Sequence, residues 1–450
     1  MDLLGKRVVV VGLGKSGQAV ARFLKERGAQ VIGNDARAAK EMDVELRQLS
    51  QAGVELALGG HDESVLCSAD LIVVSPGVPP LPALASAERS GIPIVSEVEV
   101  ASWFIKGTLI GITGTNGKST VTTLVGDMCK ATGRPCFVGG NLGTPLITAV
   151  DTPAAEEDGI VVVELSSFQL ERVHRLRVNI AAVLNVTDDH LDRYASFSQY
   201  AKAKGNIFSG QEVDDHAVFP DFEATSQELA ETSRGHKHAF GGEHGEVRVD
   251  AGAIVDIESD LVFRLADMKL AGIHNADNAC AAALIGRLAG VSSDVIAATL
   301  RTFEGLPHRM QFVREHQGVR YFDDSKATNV GAAVASVNGC TDKVVLIAGG
   351  KDKGGSYAPL VQALQSRARG CVVMGESAPL IQAALGETTY PVENATGMQD
   401  AILKAKELAL PGDIVLLAPA CSSFDMFSSY AERGDAFQRA VHALSSEVSS

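Results

Sequence analysis

Short apolar runs alternate with amphipathic stretches along the first third of the chain. Arg7–Val11, Gln30–Gly33, Val54–Leu58, Leu71–Val74 and Ile92–Val95 have strand length and many β-branched residues, whereas 16–28, 43–52 and 82–90 repeat apolar positions at helical spacing. That alternation predicts a mostly parallel, doubly wound sheet. The pattern restarts at Thr108–Ile112, with Ile160–Glu164 and Ile180–Asn185 as further buried strands. Residues 221–259 are rich in Ser, Glu, Gly and His with weak periodicity, which predicts loops and short antiparallel strands. An alanine-rich helix is predicted from about Asn275 to Leu288. Val319–Phe322, Val344–Ile347, Cys371–Met374 and Ile414–Leu417, with helices between them, predict another parallel sheet. The whole reads as three α/β units in series with joints near residues 98 and 305, ending in a frayed Ser-Ser-Glu-Val-Ser-Ser tail.

A length of 450 residues fits about three domains, and 46% hydrophobic residues with 45 glycines suit α/β cores joined by tight turns. The formal charge of −15 argues against a nucleic-acid partner, which would call for a basic face. It also means that an anionic ligand needs positive charge concentrated locally. Seven scattered cysteines without a C-x-x-C read as reduced thiols in a cytosolic protein. No apolar stretch is long enough for a bilayer span, and Met1–Arg7 lacks the layout of a secretory signal. The expected location is therefore cytoplasmic, with no membrane insertion.

Chemistry concentrates after the strands. Gly114-Thr115-Asn116-Gly117-Lys118-Ser119-Thr120 follows an apolar strand and leads into a helix. Its glycines let backbone N–H groups turn inward on an anion, and the helix N-terminus adds partial positive charge. Lys118 can reach terminal phosphates, and a following hydroxyl can hold magnesium. The strict G-x-x-x-x-G-K-[ST] pattern is missed because Ile112 stands where its first glycine belongs, so this is a variant phosphate loop. The competing reading is a glycine turn capping an ordinary helix. Gly12-Leu13-Gly14-Lys15-Ser16-Gly17 after Val8–Val11, with Asp35 ending the next strand, satisfies a dinucleotide fingerprint. Taken alone, that fingerprint admits a nicotinamide-linked oxidoreductase as well as any nucleoside diphosphate. A nucleotide sensor without turnover stays open on the same residues.

Glu164 ends a buried strand, and Asp188-Asp189-His190-Leu191-Asp192-Arg193 follows another, so Glu164 and His190 suit magnesium beside the phosphate loop. Lys204 lies on a helix, where the default for lysine is a solvated side chain. His236, His238 and His244 lack companion ligands and read as surface histidines. Leu306-Pro307-His308-Arg309-Met310 opens the last third. Asp323–Asn329, Gly349–Gly354 and Pro419–Asp425 each follow a strand and collect Arg, Lys, Asp and Ser, as a crevice for an anionic ligand would.

The Gly-Thr-Asn-Gly-Lys-Ser loop, the Glu and His after strands, the His308-Arg309 pair and Asp324-Ser325-Lys326-Ala327-Thr328-Asn329 together resemble the Mur ligase family of peptidoglycan synthesis. The resemblance covers essentially the whole chain. It implies a Rossmann-like N-terminal domain (1–98) for UDP, a central P-loop-type ATPase domain with a mixed sheet (99–304), and a C-terminal Rossmann-like α/β domain (305–450) for an amino acid. The activity implied is ATP-dependent, ADP-forming addition of D-glutamate to UDP-N-acetylmuramoyl-L-alanine through an acyl phosphate, by a monomer. A D-Y-A-H element, typical of relatives that add L-alanine, L-lysine or diaminopimelate, is absent.

Residue by residue, the resemblance implies Lys15, Ser16, Asp35, Arg37, Ser75 and Gly77 around UDP, Asn141 toward the muramoyl part, and Ser166 as a further contact of the UDP-sugar. ATP would take Gly114, Thr115, Asn116, Gly117, Lys118, Ser119, Thr120, Asn278, Arg309 and Asp324. Two magnesium ions would take Ser119, Thr120, Glu164, His190 and a carbamylated Lys204, with Lys202 as the alternative lysine. D-glutamate would take Lys326, Thr328, Lys353, Ser423 and Tyr430. Lys118, His190, Lys204 and Lys326 would carry catalysis, with closure about a hinge near residue 305.

Overall fold

The structure is a computed structural model and describes residues 3–41, 44–141, 143–189, 193–269 and 273–444. The chain forms two compact units, one of residues 1–186, 198–268 and 276–302, the other of 187–197, 269–275 and 303–450.

The first unit holds two sheets. Strands β1 (Arg7–Val11), β2 (Gln30–Asp35), β3 (Glu55–Leu58), β4 (Leu71–Val74) and β5 (Ile94–Ser96) form a parallel sheet in the order β3-β2-β1-β4-β5. Val8 to Val11 are fully buried because helices cover both faces, and this is why β1 reads as an unbroken apolar run. The strand order reverses between β1 and β4, and ligands of open α/β sheets bind outside the carboxyl ends of the strands at such a point.

The second sheet has nine strands, β6 (Thr108–Thr113), β7 (Cys136–Gly140), β8 (Ile160–Glu164), β9 (Ile180–Val183), β10 (His216–Pro220), β11 (His236–Phe240), β12 (Val247–Asp250), β13 (Ala253–Asp256) and β14 (Val262–Arg264), ordered β14-β13-β12-β11-β10-β9-β6-β8-β7. It is mixed, as expected, but the expectation of loops and short antiparallel strands over 221–259 needs correction in part. β10, β11 and β12 pair in parallel, Ala224–Ala230 is helical, and only β12–β13 and β13–β14 are antiparallel. The parallel strand β11 was hidden by its composition, His-Lys-His-Ala-Phe, which carries little apolar signal. His236 and His244 are exposed, as expected, but His238 needs correction. His238 is half-buried, its Nε2 lying 3.0 Å from His216 Nδ1 and its Nδ1 2.9 Å from Glu246 Oε1, so it is not a bare surface group.

Helix Glu97–Ser102 follows β5 directly and carries two fully buried acids. Glu99 accepts from the backbone N–H groups of His174, Arg175 and Leu176 at 2.9–3.0 Å and from the Trp103 indole at 3.1 Å. Glu97 accepts the Ile147 N–H at 2.6 Å, and burial pushes its carboxyl up to about 7.

The second unit is built on β15 (Gln311–His316), β16 (Val319–Asp323), β17 (Val344–Gly349), β18 (Ala368–Met374), β19 (Val392–Ala395) and β20 (Ile414–Leu417), ordered β15-β16-β20-β17-β18-β19. It is parallel except for β15, which runs antiparallel to β16 and escapes a parallel-only reading. β15 is an edge strand of Gln, Arg, Glu and His beside Phe and Val, so alternation is blurred.

Candidate functional site

In the first unit, Gly114 (φ +148) and Gly117 (φ +82) hold conformations that side chains rarely adopt. A Cβ on Gly117 would lie 2.3 Å from Asn278 Oδ1, so the glycine is also required for close packing of that asparagine on the loop. Asn185 clamps the loop from β9's carboxyl end: its Oδ1 accepts the Asn116 N–H at 2.8 Å, its backbone oxygen accepts the Thr115 N–H, and its Nδ2 donates to Asn116 O. The Thr115 hydroxyl meets the Tyr200 hydroxyl at 3.1 Å. Helix Lys118–Ala131 then begins, and its N-terminus faces the loop.

Lys118 Nζ donates to the carbonyls of Gly114 and Thr115, each at 2.8 Å. Lys204 is 2% exposed, its Nζ also donates to Gly114 O at 2.8 Å, and it lies 4.5 Å from the Tyr200 ring centroid. The solvated default for Lys204 is thus corrected by its burial, whereas Lys202 on the same helix is exposed. Helical geometry separates them, because positions two apart face different ways.

Glu164, 2% exposed at the carboxyl end of β8, divides its two oxygens. Oε2 accepts from the Ser119 hydroxyl and Oε1 from the Asn141 amide, each at 2.7 Å. The Thr120 hydroxyl is buried with no hydrogen-bond partner. A carboxylate and two hydroxyls are hard oxygen donors, which suits magnesium. His190 lies outside the described residues. Ser166 caps helix Ser167–Leu170 in a reciprocal box with Gln169.

A cavity of the same unit, of about 510 Å³, is lined by Gly12, Gly14, Lys15, Ser16, Asp35, Ser75, Gly77, Asn141 and Gly143 among others. Every predicted UDP contact except Arg37 and Ser166 therefore borders one space. Gly12 (φ +86) makes the turn, and Ser75 Oγ donates to its carbonyl at 2.6 Å. Lys15 Nζ reaches Gly143 O at 2.5 Å. Asp35 accepts from Leu13 N–H at 2.7 Å and from the Arg37 backbone and guanidinium. Burial pushes the Asp35 carboxyl up, but the Arg37 and Leu13 hydrogen bonds prevail and hold it below its ordinary value. Arg37 also donates to Leu13 O at 2.8 Å, so this pair braces the glycine turn.

In the second unit, His308 (φ +60) sets Nδ1 2.7 Å from Asp323 Oδ2, beside Gly434, where a Cβ would lie 2.1 Å from that nitrogen. Asp324 is buried, accepts from the Met310 N–H and the Ser336 hydroxyl, and is pushed up by burial, with nearby Arg309 opposing. Arg309 keeps a buried Nε without a hydrogen-bond partner. Lys326 Nζ lies 3.9 Å from the Tyr430 ring centroid. Arg433, 1% exposed, donates to Ser325 O and to the carbonyls of Cys421 and Ser422, tying together the loops that carry Lys326, Thr328 and Ser423. Lys353 approaches Asp189 at 3.7 Å, and Asn329 donates to the same carboxylate at 3.0 Å.

Sequence reasoning missed Asn185, Tyr200 and Arg433. A polar residue just after a buried strand was the only available signal, and only for Asn185.

Models of the Mur ligase family match most of the chain: the MurD-like N-terminal domain at residues 6–96, the Mur ligase middle domain at 112–286, and the Mur ligase glutamate ligase domain at 308–421. Curated relatives include the UDP-N-acetylmuramoylalanine--D-glutamate ligases of Geotalea daltonii, 45% identical over 99% of each chain, and Trichlorobacter lovleyi, 44% identical over 99% of this chain and all of the relative. Among solved structures, UDP-N-acetylmuramate-alanine ligase MurC from Thermotoga maritima aligns with a TM-score of 0.60 at 19% identity, covering 97% of this chain and 99% of that one. MurF ligase from the same organism, in complex with ADP, gives 0.60 at 16% identity over 98% and 96%.

Proposed function

The chain belongs to the Mur ligase family, and we infer from its site residues how it carries out that family's chemistry. It is an ATP-dependent ligase of peptidoglycan synthesis that joins D-glutamate to UDP-N-acetylmuramoyl-L-alanine, the activity named in its relatives. In this reading residues 1–98 hold the sugar nucleotide, 99–304 hold ATP, and 305–450 hold the amino acid. The enzyme works as a monomer in the cytoplasm; among the described residues no helix is long and apolar enough to cross a membrane.

The Gly12–Gly17 turn receives the diphosphate, with Lys15 and Ser16 at the helix start. Asp35, Arg37, Ser75 and Gly77 shape the UDP site, Asn141 meets the muramoyl end, and Ser166 is a further contact of the UDP-sugar. Gly114–Thr120 receives the phosphates of ATP, with Asn278, Arg309 and Asp324 as further contacts. Two magnesium ions held by Ser119, Thr120, Glu164, His190 and carbamylated Lys204 would neutralise phosphate charge. The carbamate forms when the neutral Lys204 amine adds to carbon dioxide and loses a proton. It replaces an ammonium by an anion at a buried position, which a cation site favours.

The substrate's carboxylate oxygen attacks the γ-phosphorus, and ADP leaves as the acyl phosphate forms. Lys118 turns from the loop carbonyls to the transferring phosphoryl group and takes up its charge. The amine of D-glutamate, whose carboxylates Lys326, Thr328, Lys353, Ser423 and Tyr430 would hold, then attacks the acyl carbon. The C–N bond forms, phosphate leaves with the C–O electron pair, and the amine's surplus proton passes to the departing phosphate. Lys326 and Arg309 meet the negative charge of the tetrahedral species. Catalysis is mainly positioning and charge neutralisation.

One observation carries the phosphoryl-transfer reading: the buried Glu164 carboxylate joins the phosphate-loop Ser119 to Asn141. ADP release is the test. It is expected only with UDP-N-acetylmuramoyl-L-alanine and D-glutamate together, and not with L-glutamate, L-alanine or diaminopimelate. Release independent of the sugar nucleotide would overturn the reading.

A further inference from the structure

Lys353 stands in the loop after β17 and is followed by Gly354, Gly355 and Ser356, all exposed. Such a segment has little packing of its own to fix it. Its anchor is Tyr357, buried at the start of helix Ala358–Arg367. The Tyr357 hydroxyl donates to Asp352 Oδ1 at 2.6 Å and lies 3.2 Å from Cys421 Sγ. Cys421 Sγ in turn lies 3.1 Å from Ser377 Oγ, and both residues are fully buried. Counting hydrogens orders this chain. A carboxylate only accepts, so the one hydroxyl hydrogen of Tyr357 goes to Asp352. The Tyr357 oxygen then accepts from the Cys421 thiol, which burial pushes up and so keeps protonated. With that hydrogen committed, the sulfur accepts from the Ser377 hydroxyl.

One end of the chain brackets Lys353. Asp352 Oδ2 accepts the Gly354 N–H at 3.1 Å, so a single carboxylate ties the residues on both sides of the lysine. The other end lies in a second loop. Cys421 is followed by Ser422 and Ser423, and Lys351 exchanges backbone hydrogen bonds with Ser422 at 2.9 and 3.0 Å. The loops that carry Lys353 and Ser423 are thus joined twice, by the backbone bridge and by the Tyr357 hydroxyl.

We propose that Tyr357 is a positioning residue for the amino-acid substrate, its hydroxyl fixing Lys353 relative to Ser423 before D-glutamate arrives. The proposal rests on the reading above, which gives both residues to D-glutamate. A loop already held in its binding conformation loses less freedom when the ligand binds, and that saving appears as affinity. Tyr357 acts through Lys353 and touches no reacting atom. Its loss therefore weakens substrate binding and leaves the chemical step as it was, which raises KM for D-glutamate without lowering kcat.

Steady-state kinetics of the full chain test this with a double-mutant cycle. Tyr357→Phe removes the hydroxyl and leaves the ring in its packing among Leu360, Ala420 and Cys421. It is expected to raise KM for D-glutamate about fivefold, with kcat and KM for ATP unchanged. Lys353→Ala is expected to raise the same KM, and adding Tyr357→Phe to it should bring no further rise, because the residue through which the hydroxyl acts is gone. Effects that multiply in the double variant, or an unchanged KM in Tyr357→Phe, would overturn the proposal. An unchanged KM in Lys353→Ala would instead remove the D-glutamate assignment on which the proposal stands. A ligand-free measurement separates the two: amide hydrogen exchange over residues 351–356 should be faster in Tyr357→Phe than in wild type. Equal exchange would overturn the proposal whatever the loop binds.

Discussion

Lys118 and Lys204 donate to one acceptor, the Gly114 carbonyl oxygen, each at 2.8 Å. One lysine opens the helix behind the phosphate loop, and the other reaches in from helix Phe197–Gly205. In a chain of net charge −15, positive charge is thereby gathered where loop N–H groups and a helix N-terminus face an incoming phosphate. The two lysines are nevertheless expected to do different work, and substitution tells them apart.

Under the proposed function, Lys118→Ala would remove a charge-assisted contact to the transferring phosphoryl group. The expected loss is about 2–5 kcal/mol of transition-state stabilisation, read as kcat/KM for ADP release, with an unaltered circular dichroism spectrum. Turnover near that of wild type would refute the phosphate-loop assignment.

Lys204→Ala is expected to be inactive and to regain part of its activity when a small carboxylic acid is added, because an exogenous carboxylate can stand where the carbamate stood. Lys202→Ala is expected to behave as wild type, since Lys202 is exposed on the same helix. The reverse pattern of activities would transfer the role to Lys202.

The glycines of the first turn divide into structural and ligand-facing. A Cβ on Gly17 would lie 1.8 Å from Gly12 O, whereas a Cβ on Gly14 meets nothing within 4 Å. Gly17→Ala is therefore expected to lower the melting temperature. Gly14→Val should melt as wild type does but bind UDP-N-acetylmuramoyl-L-alanine at least about tenfold more weakly, because the new side chain fills the ligand's approach. Equal melting temperatures for the two variants would contradict the division.

Glu97 makes stability depend on pH. Burial lifts its carboxyl from an ordinary 4.5 to about 7, so between those values the folded chain keeps a proton that the unfolded chain has lost. The native state binds more protons there, and stability falls as pH rises, by about 3 kcal/mol in all, with no further loss from this group above about pH 7. Glu97→Gln should gain most of that amount in urea unfolding at pH 8 and little at pH 4.5. A gain of the same size at both values would refute the assignment.

Strands buried on both faces were the most legible elements. β1, β4, β8 and β20 match their predicted bounds because Val-, Ile- and Leu-rich runs there have no polar interruption. β7, β15 and β19 went unrecognised because they are edge strands carrying glycine or polar residues. In the candidate site, the glycine turn and helix start of Gly114–Thr120 were readable because they lie in one contiguous segment. Contacts across the chain were not. Asn185 meets Asn116 across 69 residues, Tyr200 meets Thr115 across 85, and Tyr357 meets Cys421 across 64. Nothing in local spacing signals such pairings, since the sheet's crossovers create them.

The divided Glu164 carboxylate has a thermodynamic corollary. One oxygen answers to the Gly114–Thr120 loop through Ser119 and the other to Asn141, which the proposed function assigns to the ATP and muramoyl sides respectively. A ligand that rearranges either hydrogen bond alters the carboxylate offered to the other. The binding free energies of the two substrates are then coupled through a shared group, and linkage makes that coupling symmetrical. Whatever factor a nucleotide imposes on the dissociation constant of the sugar nucleotide, the sugar nucleotide imposes on that of the nucleotide. Replacing Asn141 by alanine should shrink both factors together.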